Sequence, residues 1–330
     1  MPALRWTRTG LEITQGTGPA LLLGLLDNVL RGIGQVMFQN NSYSGLLFLL
    51  AVATQSWVLA LALLLGSAAA TLTAAWLGAE HAPIRNGMFG FNGGLVALAL
   101  LVFLQPSALT WGCALLAAAA SSVVMAAMLR AFASEKLPAL TAPFVITTLC
   151  CFLAVARFGR LEPTGLMPTA ELPQAATVEG VVTLTTLLIG VFKGVGQVFF
   201  QGSVISGLLL LAGLLWASPR AGIAAVLGSA VGALVAWGMG AAEPAIRAGM
   251  YGYNSALVAM ALSCVFLRPG AATYAYALLA AAITPFVAAA TMASLAPLGM
   301  PALTLPFVLV TWVFVLASTS LSQRQNDSTS

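Results

Sequence analysis

Two stretches of this chain, 162 residues apart, read almost alike, and that internal copy constrains the fold more than any single motif. Gly32-Ile33-Gly34-Gln35-Val36-Met37-Phe38-Gln39, followed by Ser44-Gly45-Leu46-Leu47, returns as Gly194-Val195-Gly196-Gln197-Val198-Phe199-Phe200-Gln201 and Ser206-Gly207-Leu208-Leu209. The same offset carries Arg85-Asn86-Gly87-Met88-Phe89-Gly90-Phe91-Asn92 onto Arg247-Ala248-Gly249-Met250-Tyr251-Gly252-Tyr253-Asn254. An offset of 163 carries Leu137-Pro138-Ala139-Leu140-Thr141-Ala142-Pro143-Phe144-Val145 onto Met300-Pro301-Ala302-Leu303-Thr304-Leu305-Pro306-Phe307-Val308. Three motifs in one order, nearly without gaps, mark a duplicated chain.

Composition decides the solvent. Hydrophobic residues make up 60% of the sequence and charged residues 7%, against roughly a quarter charged in soluble domains, so an integral membrane protein is expected. A bilayer span takes about 20 apolar residues, which leaves room for about five spans in each half. An odd number of spans per repeat forces the halves to enter the bilayer with opposite orientations. The expected fold class is therefore an all-α integral membrane protein of two inverted repeats of about five transmembrane helices each, with short or broken helices lining a central pore. The expected divisions are an N-terminal repeat over 1–156, a linker over 157–180, a C-terminal repeat over 181–317 and a polar tail over 318–330.

Within the first half, Pro19 to Leu30 reads as a helix leading into the glycine–glutamine motif. The polar cluster Gln39 to Ser42 behind it predicts a helix that ends inside the fold, since irregular backbone at membrane depth needs protein or a wet cavity around it. Apolar runs follow over 46–66 and 67–77, a break at Glu80 to Arg85, then runs up to Leu104, over 108–129 and over 141–156. Met1 to Thr17 lacks the apolar stretch of a signal peptide and reads as a surface segment. Ser318 to Ser330 reads as disordered. Arg5, Arg8, Arg130, Lys136 and Arg324 would share one face of a ten-span arrangement, which places both ends inside a bacterial inner membrane.

The inventory for catalysis is thin. His81 is the one histidine, and its partner by offset is Glu243, so no paired imidazoles exist. No metalloprotease, nucleophile-elbow, P-loop or dinucleotide motif stands in a suitable context; no enzyme, cofactor or metal site is expected. Cys113, Cys150, Cys151 and Cys264 do not recur at the offset and read as small core residues. The net charge of +4 is scattered, with no basic stripe to receive nucleic acid.

What remains is a neutral polar set placed twice: Gln35 and Gln197, Thr141 and Thr304, Asn92 and Asn254, with the aromatics Phe38 and Phe200, Phe91 and Tyr253 nearby. Glutamine and threonine carry both donors and acceptors, so they can replace the hydration of an uncharged solute without holding it as a fixed charge would. Aromatic faces beside them favour a flat solute. The competing reading is interhelical hydrogen bonding, with about 0.6–2 kcal/mol per group; duplication inside glycine-flanked breaks favours the pore. Glu80 and Glu243 stand near matching places, one residue out of register, ahead of Arg85 and Arg247. They can line the pore or pair with those arginines.

These motifs closely resemble the urea transporter family, over both halves from about Gly32 to about Val315. The resemblance implies a channel-like fold in which urea crosses passively, with one pore per subunit in a homotrimer. It implies that Gln35 and Gln197 stand near ladders of oxygen acceptors and that Thr141 and Thr304 form the central constriction. It further implies that Phe38, Phe91, Leu95, Tyr253 and Leu257, with Val36, Val198 and Phe200, line slots around the flat solute, and that Glu80 and Glu243 correspond to paired glutamates of bacterial members. The extra hydroxyl of Tyr253 would tune the second slot. A related small-amide or ammonia channel, a membrane enzyme and a non-transport membrane scaffold are the alternatives.

Overall fold

The computed structural model describes residues 4–13, 19–173 and 178–327. Two strands, β1 (Leu4–Thr7) and β2 (Gly10–Ile13), form an antiparallel hairpin. Helices follow in a sequence that runs twice. The first set is α1 (Pro19–Gln35), α2 (Ser42–Ala53), α3 (Trp57–Trp76), α4 (His81–Arg85), α5 (Gly90–Phe103), α6 (Ala108–Ala131) and α7 (Ala142–Phe158). The second is α8 (Leu184–Gln197), α9 (Val204–Ala217), α10 (Pro219–Gly238), α11 (Glu243–Arg247), α12 (Gly252–Met260), α13 (Ala271–Leu295) and α14 (Leu305–Asp327). Two asymmetries interrupt the match: α12 continues into a π-helical turn, Ala261–Phe266, where α5 stays α-helical, and α13 is followed by a short 3-10 turn, Ala296–Leu298.

Four helices, Trp57–Trp76, Ala108–Ala131, Pro219–Gly238 and Ala271–Leu298, are long and apolar enough to cross a bilayer, and shorter apolar helices fill the fold between them. Helix α3 starts and ends on tryptophans that are 73% and 83% exposed, Trp57 and Trp76. At 1.5 Å per residue they lie about 28 Å apart along the axis, which suits the two interfacial belts of a bilayer. This is an all-helical integral membrane protein with one small hairpin at its N-terminal end.

Helices α5 and α12 are buried almost all round, as expected of the central helix in each half. Around α5 pack α1, α3, α6 and α7; around α12 pack α8, α10, α13 and α14. The halves meet where α2 lies on α9 and α7 on α14. Glycines permit the close crossings: a Cβ on Gly66 of α3 would meet the Gly93 carbonyl and Ala97 of α5, and one on Gly32 would lie 3.1 Å from Gly90 Cα.

Several boundaries differ from those read in the sequence. The first long apolar run does not continue to Gly66. It breaks at Thr54-Gln55-Ser56, where the Ser56 hydroxyl caps α3 by accepting from Leu59 N–H at 3.3 Å. Thr54 and Gln55 are used across the interface instead, Thr54 Oγ1 lying 3.0 Å from Ser206 Oγ and Gln55 Nε2 donating to Gln201 Oε1 at 2.8 Å. Helix α7 extends to Phe158, and α14 continues to Asp327 through most of the segment read as a disordered tail; residues 328–330 lie outside the described residues, as do 174–177 of the linker. The cysteines are not fully buried: Cys150 is exposed and Cys113, Cys151 and Cys264 are half-buried, Cys113 and Cys151 packing against the core.

The N-terminal surface segment is docked rather than loose, although residues 1–3 and 14–18 lie outside the described residues. The Thr9 carbonyl accepts from Ser42 N–H at 3.0 Å, Leu11 N–H donates to Asp27 Oδ1 at 2.8 Å and the Tyr43 hydroxyl donates to the Thr7 carbonyl at 3.3 Å.

Candidate functional site

The glycine–glutamine motif is a helix stop. In α1, Gln39 N–H donates to the Gly34 carbonyl at 3.0 Å and Phe38 N–H to the Gln35 carbonyl at 3.0 Å, with Phe38 at φ 62°. This is a Schellman end with phenylalanine in the left-handed position that glycine usually fills. The second half repeats it: Gln201 N–H to Gly196 O at 3.1 Å, Phe200 N–H to Gln197 O at 2.9 Å, and Phe200 at φ 58°. A left-handed residue with a Cβ costs roughly 1–2 kcal/mol, so the same strain held in both copies indicates that the ring's position matters.

Those rings cross the repeat interface. Phe38 lies 6.2 Å from Phe266 and 6.1 Å from Phe307, both of the second half; Phe200 lies 5.8 Å from Phe103 and 6.4 Å from Phe144, both of the first. The partners are themselves related by the offset of 163. Phe91, Leu95, Leu257, Val36 and Val198 are buried in the same hydrophobic cluster, with Phe38, Phe200 and Tyr253 packed against it. The contacts of each phenylalanine were not legible in its own half, because its partners come from the other one.

At the centre, Thr141 Oγ1 and Thr304 Oγ1 meet at 2.7 Å, both buried. Each threonine sits in a turn whose preceding residue is also left-handed, Leu140 at φ 53° and Leu303 at φ 50°. Asn92 and Asn254 hold these turns. Asn92 Nδ2 donates to the Leu140 carbonyl at 3.3 Å and its Oδ1 accepts from Phe144 N–H at 3.0 Å; Asn254 does the same with Leu303 at 3.3 Å and Phe307 at 3.2 Å. Both ends of each amide are thus engaged by backbone, and the asparagines, 0% and 1% exposed, position the threonines.

Gln35 and Gln197 are half-buried at the C-terminal ends of α1 and α8. Their amide nitrogens are held alike: Gln35 Nε2 donates to the Asn86 carbonyl at 2.8 Å and Gln197 Nε2 to the Ala248 carbonyl at 3.0 Å. That fixes the rotamer of each side chain and leaves its Oε1 as an acceptor. Asn86 and Ala248 carry no repeat signature in their side chains, because only their carbonyls take part. Near Thr304 the symmetry breaks. The Tyr253 hydroxyl donates to the Leu303 carbonyl at 2.6 Å, so it braces that turn.

The glutamates part ways. Glu243 opens α11 and pairs with Arg247 at 3.5 Å while accepting from the Thr186 hydroxyl at 2.7 Å. Glu80 is exposed just ahead of α4, makes no capping hydrogen bond and pairs with neither Arg85 nor any other described residue. The one-residue slip is real: α11 begins with Glu243 where α4 begins with exposed His81.

A sequence profile described as "Urea transporter" matches residues 26–319, nearly the whole chain. The chain belongs to the urea transporter family. Curated relatives include "Urea transporter 1" of Rattus norvegicus, 29% identical over 303 residues, covering 91% of this chain and 78% of the relative. The protein of the same name from Ovis aries is 29% identical over 301 residues, covering 90% and 78%, and that from Mus musculus is 29% identical over 303 residues. The family match spans both repeats and all the motifs that build the threonine and glutamine turns.

Proposed function

We propose that this chain conducts urea passively across a membrane along the interface between its two halves. The observation that carries the reading is the Thr141–Thr304 contact at 2.7 Å, where two buried hydroxyls from opposite repeats meet. Urea is flat, with one carbonyl and two amino groups in a plane. Threonine hydroxyls can donate to its carbonyl and accept from its N–H groups, the glutamine Oε1 atoms accept, and aromatic walls suit its faces. An ion would be stripped of hydration with no counter-charge beside it. Gln35, Gln197, Thr141, Thr304 and the slot residues Phe38, Phe91, Leu95, Val36, Phe200, Tyr253, Leu257 and Val198 form the path in this reading. Glu80, just ahead of α4, and Glu243, the first residue of α11, stand at its approaches, where the short helices lead to the carbonyls holding Gln35 and Gln197.

The protein acts as a transporter and not an enzyme in this reading. It resides in a bacterial inner membrane with both ends inside, assembled as a homotrimer, an oligomeric state that rests on the family resemblance. Stopped-flow light scattering of proteoliposomes with urea, acetamide, formamide and methylammonium gradients tests the assignment. Urea flux well above that of empty liposomes is expected, with no methylammonium flux. Gln35→Leu and Thr141→Val are each expected to slow urea about fivefold, the loss of one hydrogen bond to the solute; wild-type rates in both variants would refute the path.

A further inference from the structure

Thr148 and Thr311 are repeat partners at the offset of 163. Both are fully buried, and neither Oγ1 has a hydrogen-bond partner among the described residues. Other buried threonines in this protein bond back one helical turn: Thr71 to the Ser67 carbonyl at 2.7 Å, Thr284 to Ala280 at 2.8 Å and Thr291 to Val287 at 2.7 Å. The corresponding carbonyls, those of Phe144 and Phe307, stand one turn before Thr148 and Thr311, yet neither hydroxyl uses them. Buried polar groups without partners are rare and disfavoured, and here the exception is kept twice, at symmetric positions.

The position of the pair says what the hydroxyls are for. Thr148 and Thr311 stand seven residues beyond Thr141 and Thr304, inside the helices α7 and α14 that follow those threonine turns. Thr148 has Phe144 one turn before it and Phe152 one turn after. Phe144 lies 6.4 Å from Phe200, and Phe152 lies 5.4 Å from Phe103, which itself packs at 5.8 Å on Phe200. Thr311 follows Phe307, whose ring is 6.1 Å from Phe38. Each hydroxyl therefore sits on the stripe that faces one crossing ring.

We infer that Thr148 and Thr311 are two further hydrogen-bonding steps for the permeating amide, one on either side of the Thr141–Thr304 pair. Each serves a urea-like solute lying against Phe200 or Phe38. A hydroxyl suits such a step because it donates to the solute carbonyl in one orientation and accepts from its N–H in another. The inference rests on the urea-conducting reading and extends it to residues outside the threonine turns. Thr147 provides an internal comparison: its Oγ1 is also without a partner, but Val310 stands at its repeat position and it points about 100° away round the helix.

The test is urea flux through proteoliposomes of Thr148→Val, Thr311→Val and Thr147→Val, with thermal unfolding measured in detergent on the same preparations. Each of the first two is expected to lower urea flux about threefold or more, while Thr147→Val leaves it unchanged and Thr148→Ser and Thr311→Ser restore it. Unchanged flux in Thr148→Val and Thr311→Val, with a raised melting temperature, overturns the inference: the hydroxyls would then be unpaired groups that the fold is better without. If either valine variant fails to fold, Thr→Ala at that position gives the same readout. Flux lowered by Thr141→Val but not at 148 or 311 sinks this inference alone, whereas a folded wild type that conducts no urea sinks the functional reading and this one with it.

Discussion

Asp27 Oδ2 accepts from Arg31 Nε at 2.6 Å, an ion pair one helical turn apart whose side chains are 7% and 6% exposed. The second half has Ile189 and Lys193 at the matching places, so the pair is peculiar to the first half of the fold. Its remaining bonding capacity is spent on neighbours: Asp27 Oδ1 accepts from Leu11 N–H at 2.8 Å, and Arg31 Nη1 donates to Asn40 Oδ1 at 2.9 Å. Asn40 in turn donates to Asn86 Oδ1 at 3.0 Å, beside the carbonyl that holds Gln35. The N-terminal hairpin is thereby tied to the turn that sets one of the glutamines.

Removing one member leaves the other charge buried without its counter-ion, which costs about 3–5 kcal/mol. Asp27→Ala and Arg31→Ala are each expected to destabilise the protein by that amount in mixed-micelle unfolding. The double replacement Asp27→Leu with Arg31→Met should recover more than half, since a buried pair exchanged for apolar side chains of similar volume is often near neutral. A double variant as unstable as either single one would show that the hairpin contacts, not the charges, carry the effect.

Asn92 and Asn254 make a sharper comparison because they hold matching turns with different neighbours: Asn92 Nδ2 also contacts Met125 Sδ at 3.8 Å, and the Tyr253 hydroxyl stands beside Asn254. Replacing either by leucine strands a buried Phe N–H and weakens a left-handed turn, a loss of about 2–4 kcal/mol. Asn92→Leu is expected to be the more damaging, because the Leu303 carbonyl keeps the Tyr253 hydroxyl at 2.6 Å while the Leu140 carbonyl keeps nothing equivalent among the described residues. Adding Tyr253→Phe to Asn254→Leu should erase the difference. Unfolding curves of the three variants, alongside urea flux, check the order.

Glycine substitutions separate packing from mere abundance. Gly87 and Gly249 have φ of 73° and 79°, and a Cβ on either would strike the backbone of Gly32 or Gly194, so Gly87→Ala and Gly249→Ala are expected to abolish a folded product. Gly112, inside α6, has nothing within 4 Å of its would-be Cβ. Gly112→Ala should raise stability by about 0.5–1 kcal/mol, the ordinary gain of alanine over glycine in a helix. Yield of monodisperse protein in detergent reads both outcomes.

The duplication, the membrane environment and the glutamine and threonine motifs were legible in the sequence because each is a local pattern: an offset, an apolar run, or a short string that recurs. Asn92 and Asn254 were visible as part of the neutral set, but not their role, since a positioning amide and a solute-facing amide are the same residue in a string. The break at Thr54-Gln55-Ser56 was invisible for a related reason. Three polar residues between two leucine-rich runs gain their meaning from Gln201 and Ser206, which are about 150 positions away.

By itself, the sequence determined that one fold was used twice in a bilayer and which short strings the two copies share, because hydrophobic transfer and helix-stop chemistry act over a few residues at a time. Only the tertiary structure decided that Phe38 and Phe200 each pack into the opposite repeat, that Thr141 touches Thr304, that Tyr253 braces a turn, and that Thr148 and Thr311 keep their hydroxyls unpaired. Those are contacts between chain segments far apart in order. Their distances follow from how two half-folds are brought face to face, which no local pattern records.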